Sequence, residues 1–140
     1  MKLGQHVTPL PSHFSHLPVL KKYKGFLFIQ QIYLQKEIYE NLLSEKPKHV
    51  NIGYLIHEQT HYTRTKSMGV FKFGIGYLLS KRSRFNEELI AYKAQMKYLK
   101  SNNQTYDTSR TAKALSGWPY LWCMSYEKAK MALDSAWAEM

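Results

Sequence analysis

Residues 48–64, KHVNIGYLIHEQTHYTR, carry the pattern on which the rest of the chain is read. No proline interrupts them, and Val50, Tyr54, His57 and His61 fall at i, i+4, i+7 and i+11, one stripe of a helix. Ile52, Leu55, Ile56 and Gln59 cover the neighbouring face. A helix apolar on more than one side is a central, buried one. Inside it stands His57-Glu58-Gln59-Thr60-His61, an HExxH motif. Four residues turn a helix by about 400°, so His57 and His61 project from one face a turn apart. Two imidazoles so placed can share one zinc ion at about 2.0–2.1 Å each. Glu58, slightly rotated, reaches a water on the metal rather than the metal itself. Zinc lowers the pKa of such a water toward ~7, and a neighbouring carboxylate takes its proton during attack on an amide carbonyl. In a chain with six His and eight Glu, chance places HExxH somewhere with a probability of about one or two per cent. The motif therefore reads as a metal site before it reads as two aligned core histidines.

A catalytic zinc takes three protein ligands and keeps one position open. The metzincin continuation HExxHxxGxxH is excluded, because Arg64 and Ser67 stand where its glycine and third histidine would be. A glutamate from a later helix is the alternative, and residues 84–92, RFNEELIAY, offer Glu87 and Glu88. Here the chain resembles the gluzincins, zinc peptidases with HExxH on one helix and a ligand Glu on the next. Their second motif often reads Glu-x-x-Ala followed by Asp or Tyr, which Glu88-Leu89-Ile90-Ala91-Tyr92 fits. Glu88 also shares its helix face with Ala91, Tyr92, Gln95 and Met96, and a small Ala91 lets this helix approach the metal helix closely. Glu87 shares its side with Ala94 and Tyr98 and is the less favoured choice. The resemblance spans residues 26–99 and implies a minimal, single-domain gluzincin. It implies one Zn2+ per chain held by His57, His61 and Glu88, with Glu58 as general base. It further implies a strand within residues 26–34 lining the cleft and pairing with an extended peptide or protein substrate. The family's oxyanion-stabilising residue has no assigned place; Tyr77, Tyr106, Tyr120 and Tyr126 are all candidates.

Outward from the motif, residues 26–34, FLFIQQIYL, are rich in β-formers and predict one or two strands. Ile38, Tyr39, Leu42 and Leu43 predict a short helix ended by Pro47. Residues 1–22 hold Pro9, Pro11 and Pro18 among three histidines and predict an irregular arm, leaving residues 23–140 as the domain. Gly69, Gly74 and Gly76 predict an interruption, with a helical piece beginning near Gly76. A helix over residues 85–99, a loop over 101–109 and short helices near 108–116 and 125–138 complete an α+β, helix-dominated, zincin-like domain with a small N-terminal sheet.

The 140 residues carry 20 Lys and Arg against 10 Asp and Glu, a net charge of +10. That excess favours anionic partners, so nucleic acid or a membrane surface stays open as a partner. No basic run, RNA-binding aromatic motif or zinc-finger spacing supports nucleic acid further. Lys93, Lys97 and Lys100 share one helix face and read as a solvated surface. No apolar run reaches the ~18 residues of a membrane span. MKLGQHVTPLPSHF lacks an apolar leader, which predicts a cytoplasmic protein. The single Cys123 excludes an internal disulfide and reads as a small core residue. Trp118, Tyr120 and Trp122 read as core aromatics, Gly74-Ile75-Gly76 as a turn, and His13 with His16 as an incidental surface pair. Two readings compete with an active zinc peptidase. One is a zinc-stabilised binding module with a basic surface for nucleic acid or an acidic partner. The other is a silent peptidase homologue whose arm or C-terminal segment closes over its own cleft.

Overall fold

The β-formers of residues 26–34 fold into a hairpin. In the computed structural model, which describes residues 3–15 and 23–140, Gly25–Phe28 (β2) and Gln31–Leu34 (β3) pair antiparallel, Gly25 opposite Leu34 and Phe28 opposite Gln31. Their two-residue turn, Ile29-Gln30, has φ of 44° and 60°. Positive φ at both positions matches the twist of the flanking strands, at the cost of a left-handed conformation that Ile29 disfavours. Alternation along β3 sends Ile32 and Leu34 fully into the core.

The expected irregular arm is corrected here. Val7–Pro9 forms a strand, β1, that runs parallel to β3 with Val7 opposite Ile32, giving the sheet order β1-β3-β2. A proline is tolerated there because β1 is an edge strand, where a missing N–H costs no ladder bond. Burial of Val7 and Leu10, with bonds from Ile32 N to His6 O and from Leu10 N to Leu34 O, ties the segment down. Ser12–Ser15 adds one helical turn, α1. His16 of the His13–His16 pair lies outside the described residues.

Helices make up 66% of the described structure, so the domain is α+β and helix-dominated. Lys36–Leu43 (α2) buries Ile38 and Leu42, and stops well before Pro47. His49–Met68 (α3) contains the HExxH motif and ends at Gly69, whose φ of 84° is one that L side chains rarely adopt. Val70–Leu79 (α4) follows at once. Of the three glycines only Gly69 interrupts the helices; Gly74 and Gly76, expected to do so, lie inside α4. At Gly76 the missing side chain admits Ser83, whose Oγ lies 3.1 Å from where a Cβ would stand. Lys81–Ser101 (α5) begins four residues earlier than the apolar pattern predicts, because the Ser80 hydroxyl caps it by accepting from Ser83 N. Asp107 and Ser125 cap Thr108–Leu115 (α6) and Tyr126–Ala138 (α7) in the same way.

Two apolar clusters lie either side of the α3–α5 pair. One joins the sheet, α2 and Leu55 of α3. The other joins Phe85 and Met96 of α5 with Ala112, Leu115, Cys123, Ala129, Leu133 and Ala136. Between them Gly53 allows close helix contact, since a Cβ there would meet Gln95 Cγ at 3.2 Å. The C-terminal segment is thus a core helix, with Ala129 and Leu133 fully buried, rather than a flap over the cleft. Cys123 is buried as expected, but Trp118 and Trp122 are exposed, and of that aromatic group Tyr120 packs on the core.

Candidate metal centre

Helix α3 presents His57, Glu58 and His61, all buried, and α5 crosses it with Glu87 and Glu88 on its first buried turns. Ala91, fully buried one turn beyond Glu88, keeps the two helices close. Adjacent residues on a helix point about 100° apart, and the two carboxylates accordingly diverge. Glu87 turns to Arg64, whose guanidinium donates to both of its oxygens, through Nη2 at 2.7 Å to Oε1 and through Nε to Oε2. That fork fixes the register of α5 against α3. Glu88 turns inward and is 2% exposed.

His57 Nε2 and His61 Nε2 lie 3.2 Å apart. Each faces one oxygen of Glu88, His57 Nε2 at 3.3 Å from Oε2 and His61 Nε2 at 3.4 Å from Oε1. A tetrahedral ion with bonds of about 2.0–2.1 Å separates its ligand atoms by about 3.3–3.4 Å. The two nitrogens stand at that separation, the carboxylate meets each of them through a different oxygen, and one ligand atom from each of the three side chains lies within 4.8 Å of the others. Glu88 Oε2 has no hydrogen bond among the described residues. A buried carboxylate with an open lone pair is costly unless a cation fills the gap. Residues and spacing both fit a divalent metal with nitrogen and oxygen ligands, and among the described residues this is the His, Cys, Asp or Glu cluster able to hold one.

Surrounding groups set the charge of the site. Burial disfavours the Glu88 carboxylate, yet the adjoining His61 and His57 outweigh it and hold its pKa well below the usual range. Burial lowers the His61 pKa, and the Glu88 charge and contact reverse this into a net rise. Burial raises the Glu58 pKa; the histidines oppose that rise and Glu88 adds to it. Tyr77, from α4, donates its hydroxyl to Glu88 Oε1. Its ring stacks on Phe73 with centroids 5.9 Å apart, and both rings stand edge-on to His61. On the other side Tyr92 lies 4.4 Å from the His57 ring and shares a hydroxyl contact of 2.8 Å with Tyr120.

A cavity of about 300 Å³ opens beside His57 and Glu58, walled by Tyr54, Tyr92, Tyr106 and Tyr120. Gly25 of β2 borders it, and a Cβ at that position would stand 3.2 Å from Glu58 Cγ. Of the four tyrosines considered for oxyanion stabilisation, Tyr77 is engaged with Glu88, Tyr106 and Tyr120 line the cavity, and Tyr126 is exposed and away from it. Sequence reasoning missed Arg64 as the partner of Glu87 and Gly25 as the neighbour of Glu58. It also gave no way to connect Tyr77 to Glu88 in particular. None of these contacts repeats at a helical or strand period, so no spacing announces them. Comparison of the chain with protein-family models, with characterised proteins and with solved structures finds no match, which leaves the donor geometry to speak for the site.

Proposed function

We propose that the protein is a zinc-dependent peptidase that uses His57, His61 and Glu88 as ligands and Glu58 as general base. The observation that carries this reading is the donor set: two imidazole nitrogens 3.2 Å apart, each within 3.4 Å of a different oxygen of the buried Glu88, beside a cavity whose wall includes Glu58. Two His and one Glu with a further position left open is a donor set suited to catalytic zinc. When bound, zinc supplies Lewis-acid polarisation of a scissile carbonyl and lowers the pKa of a water toward ~7.

The chain's own residues supply the rest. Glu58 accepts the proton of the attacking water on a carboxylate oxygen as the oxygen–carbon bond forms, then delivers it to the amine nitrogen as the carbon–nitrogen bond breaks. Burial favours its protonated form, which suits a group that must hold and then release a proton. Tyr77 keeps Glu88 turned toward the histidines through its hydroxyl. Strand β2 pairs with β3 on one side only, so its other edge offers backbone groups to an extended peptide, and Gly25 sets that edge against Glu58.

Glu58→Gln tests the assignment. The variant should retain its zinc and cleave no member of a peptide library that the wild type cleaves. Cleavage by a clean Glu58→Gln preparation would overturn the general-base role. A wild type that binds zinc yet cleaves nothing would favour the zinc-stabilised binding module instead.

A further inference from the structure

Among the described helices of eight or more residues, α4 is the one without a buried residue. Its inner side is occupied, since Phe73 and Tyr77 stand over His61. Its outer side is apolar and bare. Phe71 is 86% exposed, Leu79 82%, Leu78 66% and Ile75 57%. At 100° per residue these four fall within an arc of about 100°, so they make one continuous stripe rather than scattered contacts. Met68 and Val70, either side of the Gly69 break, are exposed as well. Single exposed apolar residues need no explanation, whereas a contiguous stripe on one helix marks an interaction surface.

Charge identifies what the surface fits. Lys72 on α4, Lys81 and Arg82 just past its end, and Lys66 in the last turn of α3 are all exposed, with Lys72 one residue step from the stripe's border. Between Glu58 and Glu87 the chain contains no acidic residue, and those two carboxylates are themselves buried. A second copy of the chain would bring the same four cations against these, a repulsive arrangement. An apolar stripe flanked by Lys and Arg, whose aliphatic stems can lie along the stripe while their heads stay in water, suits an anionic bilayer surface. No described helix is long and apolar enough to cross a membrane, which restricts the contact to the interface.

We propose that α4 docks the protein on anionic membranes, with Phe71, Ile75, Leu78 and Leu79 inserted at the headgroup boundary and Lys66, Lys72, Lys81 and Arg82 on the lipid charges. This rests on the α4 surface alone and stands whether or not the metal centre is catalytic. The experiment is co-sedimentation of the full chain with vesicles of phosphatidylglycerol and phosphatidylcholine in equal parts, and with phosphatidylcholine alone. The wild type should sediment with the mixed vesicles and stay in solution with the neutral ones. The pair Phe71→Ser and Leu79→Ser should weaken binding at least about tenfold, and Ile75→Ser with Leu78→Ser should do the same. Circular dichroism melts of both variants should match the wild type, because all four side chains already face water. Equal binding by wild type and variants would show attraction by net charge only and overturn the proposal. So would failure to bind mixed vesicles, which would leave an acidic protein as the partner. A dimer in light scattering that dissolves in both variants would overturn it in favour of a second copy.

Discussion

Tyr77→Phe removes one oxygen atom and keeps the ring that stacks on Phe73 and faces His61. The lost group donates to Glu88 Oε1, inside a site where Glu88 is 2% exposed. Burial first, and then the Glu88 charge, push the Tyr77 pKa above its ordinary value, so the hydroxyl is a donor at neutral pH. A hydrogen bond to a charged acceptor contributes about 1.5–3 kcal/mol. At about 1.4 kcal/mol per decade, its complete loss from the bound state would weaken metal binding by about 10–100-fold. The same bond is present without metal, however, so part of the loss falls on the stability of the metal-free fold. The expected result is therefore near the lower bound: zinc affinity about tenfold weaker, with a fall of about 1 kcal/mol in metal-free stability. Competition against a chromophoric chelator at neutral pH measures the first, and urea denaturation of the metal-free protein the second. Tyr126→Phe, at an exposed position, is the control and should change neither. Unaltered affinity and unaltered stability in Tyr77→Phe would refute the claim that this hydroxyl orients Glu88.

The Arg64–Glu87 fork predicts an asymmetry. Arg64 is 32% exposed and Glu87 9%, so Arg64→Ala strands a buried carboxylate and should cost about 3 kcal/mol, while Glu87→Gln frees an arginine that water can reach and should cost about 1 kcal/mol. Urea denaturation reads both, and a reversed order would contradict the assignment of Glu87 as structural. Stability should also fall at alkaline pH. Burial raises the pKa of Tyr106 and of Tyr120, and burial with the Glu88 charge pushes the Cys123 thiol up to about 11. The unfolded chain then releases these protons first, so stability is complete below about pH 9 and declines as the pH rises through the folded-state values. Denaturation midpoints that stay flat or rise between about pH 8 and pH 10.5 would contradict this.

Legibility followed locality. The four-residue spacing of His57 and His61 converts directly into adjacency on α3, and the strand hairpin, α2, α6 and α7 follow from short-range pattern and capping. Glu88 was favoured over Glu87 by its fit to the second gluzincin motif and by the small Ala91 that shares its face, and the 100° between neighbours sends the two carboxylates to different partners. The sequence could not show what held Glu87, because Arg64 meets it only once α3 and α5 cross. Tyr77 was one of four equal candidates for the same reason: its contact with Glu88 depends on how α4 folds back after Gly69. Proline content misled at residues 7–9, where the edge position of β1 removes the penalty and pairing with β3 decides the conformation. Glycine content misled at Gly74 and Gly76, where packing of Phe73 and Tyr77 over His61 keeps the chain helical despite weak propensity. The same packing explains why an apolar helix leaves its other side bare.

Metal content tests the central claim most directly. Elemental analysis of untagged protein should find about one zinc per chain in the wild type and in Glu87→Ala, with zinc lost or strongly weakened in His57→Ala and in Glu88→Ala. Wild type that holds no zinc even after reconstitution, or equal retention by Glu88→Ala and Glu87→Ala, would contradict the account.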